Sequence, residues 1–282
     1  NLPPHRAFTD DGGLDGESAL PLGIVERHLI RRAFDGASVL WAMWGPTPNQ
    51  VTFNDAEGEG GFTIKSTVIG EGTVRGQIDP PEGVLSAIAS EWTTDRRHLV
   101  SVLFLPEFNS DLGVWSESEG WQWLTRTPEV REAWPTVSPD GRWLAYGSFE
   151  SGRPEVYVRP FLREGEVIQV SGSGGVAPVW ARDGSELFYR SYTMEDGSRR
   201  DWATAVRVTE VDGRLELGSP AELFESTPWG IPNPVRSWDV GPDGRFLMFA
   251  KATPEQVQEV IEGFCPDRLR FVQNWASRLQ GE

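Results

Sequence analysis

Short runs of alternating apolar and polar residues recur along the chain, each introduced by a turn signal. SPDGRWLAY at 138–146 is the clearest: Ser138-Pro139-Asp140-Gly141, then alternating apolar residues, which is hairpin chemistry. The pattern returns as ARDGSELFY at 181–189 and GPDGRFLMF at 241–249, with weaker copies TTDRRHLVS at 93–101 and GPTPNQVTF at 45–53. Taking Pro139 as the anchor, the matching positions are Pro46, Thr94, Pro139, Arg182 and Pro242, at intervals of 48, 45, 43 and 60. One unit is therefore about 45 residues, with an insertion in the fourth.

The columns agree in chemistry as well as spacing. Two residues before the anchor stand Trp44, Trp92, Val137, Trp180 and Val240; one after it stand Thr47, Asp95, Asp140, Asp183 and Asp243. Five after it are Val51, Leu99, Leu144, Leu187 and Leu247, and seven after it Phe53, Ser101, Tyr146, Tyr189 and Phe249. Apolar residues two apart at matched places form the inward face of a recurring strand.

Each unit continues with a second β-rich run: FTIKS (62–66), DLGVWS (111–116), EVYVRPF (155–161), ATAVRV (203–208) and LRFVQNW (269–275). A further strand follows in TVRGQI (73–78), WQWLT (121–125), VIQVS (167–171) and PAELF (220–224). With the strand before the turn this makes four strands per unit, the blade of a β-propeller. A βαβ arrangement would need helical crossovers, and the best helical stretch is the short PEQVQEVIEG at 254–263. The fold class expected is all-β: a propeller of four-stranded antiparallel blades, with six ring positions, or five as the alternative. In that reading 1–43 is a reduced first blade with ring-closing strands. Residues 44–282 carry five repeats (about 44–79, 92–126, 134–171, 177–225 and 236–279) in a single domain.

Composition sharpens this. Among 282 residues there are 31 Gly, 21 Pro and 13 Trp, suited to many short strands and tight turns. A net charge of −16 argues against a nucleic-acid partner, since phosphate binding needs clustered Lys and Arg. The lone Cys265 excludes an internal disulfide, and three His leave little scope for a His-rich metal site; no metal and no cofactor are expected. No run approaches the ~18 apolar residues of a membrane-spanning helix. The start at NLPPHRAFTDDGG has no signal-peptide layout, so the chain is read as cytoplasmic or as a mature or trimmed piece of a longer one.

At WARDGSELFY, VSPDGRWLAY and VGPDGRFLMF the sequence resembles the WD-like repeat of TolB-type six-bladed propellers. SPDGRWLAYGSFESGRPEVYVRPF with SGSGGVAPVWARDGSELFYRS is similar to a narrower group, the propeller region C-terminal to bacterial eukaryotic-like serine/threonine kinase domains. The closing FVQNWASRL also resembles the end of such chains. The resemblance spans about 29–282 and implies a propeller with a sensing or scaffolding role, placed outside the cytoplasm. It does not imply kinase activity, because no glycine-rich loop with a following Lys, no HRD and no DFG is present.

Candidate chemistry is sparse. Asp95, Asp140, Asp183 and Asp243, with Gly141, Gly184 and Gly244, read as structural turns: Asp accepts from nearby backbone N–H groups and Gly takes φ > 0. No G-x-S-x-G occurs, and His5, His28 and His98 sit in no triad-like context. DDGGLDGE at 10–17 lacks the ligand set of a calcium loop. Trp44, Trp92 and Trp180 are assigned to core packing by their shared column, whereas Trp134, Trp229 and Trp238 are freer.

Topology then says where a ligand would sit. The Asp-Gly turns mark one face of the ring. The opposite face carries the loops entering the inner strands and those between second and third strands. Residues expected there are Asp35, Glu91, Glu132, Trp134, Arg236 and Trp238, with Glu107, Asn109, Glu150 and Arg153 further out. The function expected is a non-catalytic module binding a protein, peptide or small ligand at one face. The alternative is a propeller hydrolase or lyase, or the gating propeller of a prolyl-oligopeptidase-like enzyme.

Overall fold

The structure, a computed structural model, describes residues 39–55, 61–68, 74–196, 198–226, 238–248 and 271–272. Asp35, Arg236, Trp229, Cys265, His5, His28, the 10–17 loop, residues 1–38 of the expected first blade and the 254–263 stretch lie outside them, while 39–43 belong to the first strand of the first sheet.

Among these residues the strands form five antiparallel sheets. The first contains β1 (Val39–Trp44), β2 (Gln50–Asp55), β3 (Thr63–Val68) and β4 (Val74–Ile78). The second contains β5 (Ser86–Trp92), β6 (Leu99–Phe104), β7 (Ser110–Ser116) and β8 (Gly120–Trp123). The third contains β9 (Glu132–Val137), β10 (Trp143–Ser148), β11 (Glu155–Pro160) and β12 (Ile168–Gln169). In each of these three, the strands pair in sequence order.

The fourth sheet shows where the extra residues of that unit go. β13 (Val176–Trp180) pairs with β14 (Glu186–Glu195), which forms a long ribbon with β15 (Ser198–Val211). The outer edge of β15 is then shared by β16 (Arg214–Leu217) and β17 (Ala221–Ser226). In the fifth, β18 (Trp238–Val240), β19 (Phe246–Met248) and β20 (Phe271–Val272) pair in order.

Every anchor column falls in the turn between the first two strands of a sheet. Trp44, Trp92, Val137 and Trp180 end their strands and stand opposite Val51, Leu99, Leu144 and Leu187. The fifth sheet departs from this register. Gly241 N–H donates to Arg245 rather than to the next residue, and Val240 stands opposite Phe246. A turn one residue shorter exchanges the two sides of the following strand. Phe246 is therefore fully buried while Leu247, expected in the core column, is only half-buried.

Successive sheets pack side by side, and the core lies between them. Alternation along β10 shows how: Leu144 and Tyr146 pack with Val100, Val102, Leu112 and Val114 of the second sheet. Trp143 and Ala145 pack with Trp180, Leu187 and Tyr189 of the fourth. A strand buried on both faces reads as a near-continuous apolar run. Directional bonds fix the neighbours: Trp92 Nε1 donates to Thr52 Oγ1 at 2.9 Å, Trp180 Nε1 to the Thr136 carbonyl at 3.3 Å, and Trp238 Nε1 to the Ala177 carbonyl at 2.7 Å.

The first strand of each of the first four sheets carries a register shift against its partner, within 39–41, 89–91, 133–136 and 176–179. Trp134 and Ala177 take left-handed backbone there, φ 54° and 52°. The bulge turns the Trp134 ring over Gly147, where an added Cβ would come within 2.4 Å of it.

Candidate functional site

Because strands alternate in direction, the β6–β7 connection and the loop entering β9 lie at the opposite end of the sheets from the Asp turns. A pocket of about 220 Å³ opens there, lined by Glu82, Gly83, Leu105, Asn109, Asp111, Trp123, Arg126, Thr127 and Pro128. Each comes from a segment the hairpin repeat places. Glu82 and Gly83 precede β5, and Leu105 and Asn109 flank the Pro106–Phe108 turn. Asp111 is the second residue of β7 and Trp123 ends β8; the rest lead to β9.

One lining residue, Asp111, belongs to an acid pair whose other member, Glu132, lies behind Thr127. Asp111 and Glu132 are both buried. Thr127 bridges them, its backbone N–H donating to Asp111 Oδ1 at 3.1 Å and its hydroxyl to Glu132 Oε1 at 3.3 Å. Glu132 Oε2 receives no donor. A buried carboxyl oxygen without a donor, beside a second carboxyl, favours the neutral form of Glu132. Burial pushes Glu132 up to about 7, helped by the Asp111 charge and opposed by the Thr125 and Thr127 hydroxyls. Burial also raises Asp111, against the Thr127 amide, Glu132 and Arg126. Burial and the Glu132 charge likewise keep the Tyr146 phenol neutral.

Arg126 lies over the Trp123 ring, 5.2 Å from its centroid, and carries the positive charge of the lining. The chemistry available is that of a hydrogen-bonding and charge-pairing wall beside an aromatic face. Two carboxyls alone make a poor metal cage, and among the described residues no third His, Cys, Asp or Glu joins them.

The expected site residues divide. Asn109 lines the pocket, Glu132 accepts from the lining residue Thr127, and the exposed Glu107 stands two residues before Asn109. Glu91 is committed elsewhere, taking the Thr136 hydroxyl at 3.2 Å and the Val137 amide, so it ties β5 to β9. Arg153 reaches back to Glu155 at 2.6 Å and to the Gly172 carbonyl at 2.5 Å. Trp134 and Trp238, expected at the channel mouth, are core residues instead. Trp134 is inside β9, folded over Gly147 and packed near Phe149, and Trp238 stacks on Phe246 at 5.6 Å. Trp44 and Trp92, which column position marked as core, are half-buried and pack against core clusters.

The Asp turns act on their own backbone. Asp140 Oδ1 takes the Ser138 hydroxyl at 2.5 Å and the Arg142 amide at 3.1 Å, while Gly141 holds φ 74°. Asp95, Asp183 and Asp243 repeat the acceptor role toward the amides of Arg97, Ser185 and Arg245. Where Arg96 replaces Gly it takes φ 61°. In the first sheet Pro48 cannot do so, and the left-handed residue moves to Asn49. Burial raises Asp140, but Ser138 and Arg142 outweigh it and hold the carboxyl below the usual range.

Asp111, Trp123, Arg126 and Thr127 were not singled out by sequence reasoning. One signal was present: DLGVWS and EVYVRPF both open on an acid. The structure gives Asp111 and Glu155 the same place, two residues before the pairs Ser101–Gly113 and Tyr146–Tyr157.

The sheets and their packing define a β-propeller, and its fold is TolB-like. A protein from Agrobacterium tumefaciens described as TolB matches with a TM-score of 0.55 at 19% identity, over 71% of this chain and 69% of that one. TolB from Acinetobacter baumannii matches with 0.56 at 16%, over 77% and 50%. An oligogalacturonate lyase in complex with manganese matches with 0.55 at 13%, over 77% and 60%. The chain thus spans about half the Acinetobacter protein and three fifths of the lyase. No family model and no curated protein matches the sequence. Among the described residues, no helix is long and apolar enough to cross a membrane.

Proposed function

We propose that this chain is a non-catalytic binding module, a sensor or scaffold that takes a protein, peptide or small ligand at the pocket beside β7 and β8. In a longer parent it serves as the propeller end of a bacterial serine/threonine kinase or of a TolB-like protein, outside the cytoplasm. The observation that carries the binding role is the pocket itself: Asp111, Glu82, the Trp123 ring, Arg126 and Asn109 converge on one concavity among loops. The Asp turns at the other end meanwhile accept from their own turn, Asp140 from the Ser138 hydroxyl, the Arg142 amide and the Arg142 side chain. The test is ligand-induced thermal stabilisation across peptide and small-molecule panels. Trp123→Ala should abolish any stabilisation that Asp140→Ala leaves intact. The opposite result would move the site to the Asp-turn face.

One observation favours a second reading, an acid–base enzyme. Glu132 titrates near neutrality beside a second carboxyl, the pairing used for proton transfer. Oligogalacturonate is the first substrate to try, given the fold shared with the lyase. Turnover lost in Glu132→Gln would establish this reading, and its absence across glycan and ester substrates would leave the binding role.

A further inference from the structure

We propose that the pocket receives a Lys or Arg side chain from a short segment of a partner protein, with an adjacent apolar residue seated on Phe108 and Leu85. This rests on the binding role above and names its partner class.

The lip of the pocket supplies the first argument. Phe108 is 100% exposed and Leu85 61%; Phe108 directly precedes the lining residue Asn109, and Leu85 follows the lining residue Gly83 by two. Phe108 is held out by its backbone: Glu107 and Phe108 are consecutive left-handed residues, at φ 63° and 60°. Neither is Gly, and each such residue is strained by about 1 kcal/mol or more. The turn beneath is nevertheless closed, Leu105 N–H donating to the Asn109 carbonyl at 2.9 Å and Ser110 N–H to Asn109 Oδ1 at 2.9 Å. Leu85 N–H donates to the Phe104 carbonyl at 2.8 Å, which continues the β5–β6 ladder and sets Leu85 beside the residues leading into that turn. The backbone strain thus presents Phe108 on a fixed support.

Charge supplies the second. The lining carries Glu82 and Asp111, Glu107 stands two residues before Asn109, and Glu132 lies behind Thr127. Arg126 is the opposing cation of the lining and already faces Trp123. A guanidinium or ammonium entering this site meets carboxylate acceptors in a partly desolvated place, where charge-assisted bonds are strong. An acidic partner would meet repulsion from Glu82, Glu107 and the acid pair, with Arg126 as the single opposing cation of the lining. An apolar anchor beside one desolvated charge is the composition of an interface hot spot.

The test is to pan a random heptapeptide phage library on the full chain, then measure Kd for synthetic copies of the enriched peptides. The expected consensus places Lys or Arg next to Leu, Ile, Phe or Trp. Asp111→Asn should weaken binding at least about tenfold, and Phe108→Ser roughly three- to tenfold. Phe108 and Glu82 are exposed, so Phe108→Ser and Glu82→Gln test the lip and the charge without disturbing the core, should Asp111→Asn fold poorly. Enrichment of neutral or acidic peptides that still need Trp123 overturns the partner class and leaves the binding role standing. Self-association of the chain that Phe108→Ser abolishes also overturns the class, because a second copy would then be the occupant. No enrichment on the wild-type chain overturns both.

Discussion

Asp111 and Glu132 belong to neighbouring blades, yet one residue joins them: the Thr127 amide donates to Asp111 and the Thr127 hydroxyl to Glu132. Both carboxyls are pushed up by burial, so the neutral form of Glu132 is favoured at this blade-to-blade contact. In the unfolded chain Glu132 releases its proton near 4.5, and in the folded chain near 7. Below about 4.5 both states are protonated. Between 4.5 and about 7 the folded state alone holds the proton, so this contribution is lost as pH rises through that window. A shift of this size is worth about 3 kcal/mol, reduced by any relaxation of the charged pair. Glu132→Gln should therefore raise the thermal midpoint at pH 8 and change it little at pH 4.5. Equal effects at both values would show that burial does not raise Glu132.

Gly147→Ala tests the packing under the Trp134 bulge. The new methyl meets Trp134 Cε3 at 2.4 Å and Cζ3 at 2.8 Å, with no flexible side chain to give way. The expected loss is about 1–3 kcal/mol, the usual cost of overpacking. Trp134→Phe shortens the ring that causes the clash, so the double variant should lose less than the sum of the two single changes. Denaturant unfolding of the four proteins gives that coupling directly.

Much of this was legible in the residues. The anchor columns placed the turns and the first two strands of every described blade. Turn chemistry and alternation are local, and here both agree with the fold. The fourth-unit insertion was visible as an interval, though its form, a ribbon from Glu186 to Val211, was not. Trp134 was misplaced because a bulge redirects its side chain, and Trp238 because its ring is taken up between blades by the Ala177 carbonyl and Phe246. The acid pair was half legible. Glu132 stood at a strand entrance, whereas Asp111 became significant only when the blades came together. Contacts between blades join residues of different repeats, and a column alignment compares like with like inside each one.

Asp140→Ala should lower stability by about 1 kcal/mol, the scale of a lost side-chain-to-backbone cap. Asp140 serves the Ser138 hydroxyl, the Arg142 amide and the Arg142 side chain, whereas Asp183 serves only Ser185. Asp183→Ala should therefore cost less than Asp140→Ala. The exposed Arg142 pairs with Asp140 and Glu210 add little to either figure. Thermal unfolding of the two variants decides it, and an unchanged midpoint for Asp140→Ala would remove the carboxylate from the turn's structural role.

Glu155 shows how an acid at the position equivalent to Asp111 works without a partner acid. It is fully buried, takes the Ser171 hydroxyl and accepts from Gly174 N–H through both oxygens at 3.0 Å. Arg153 reaches it at 2.6 Å from a half-exposed position. Removing the carboxylate orphans the Gly174 and Ser171 donors in the interior, so Glu155→Ala should cost about 2–4 kcal/mol. It should also open 171–174 to proteolysis. Arg153→Ala removes a charge that water can replace and should cost under about 1 kcal/mol. Comparable losses for the two variants would mean that the ion pair, rather than the backbone bonds, fastens this loop. Arg153 would then be unavailable to any ligand at that end of the blade.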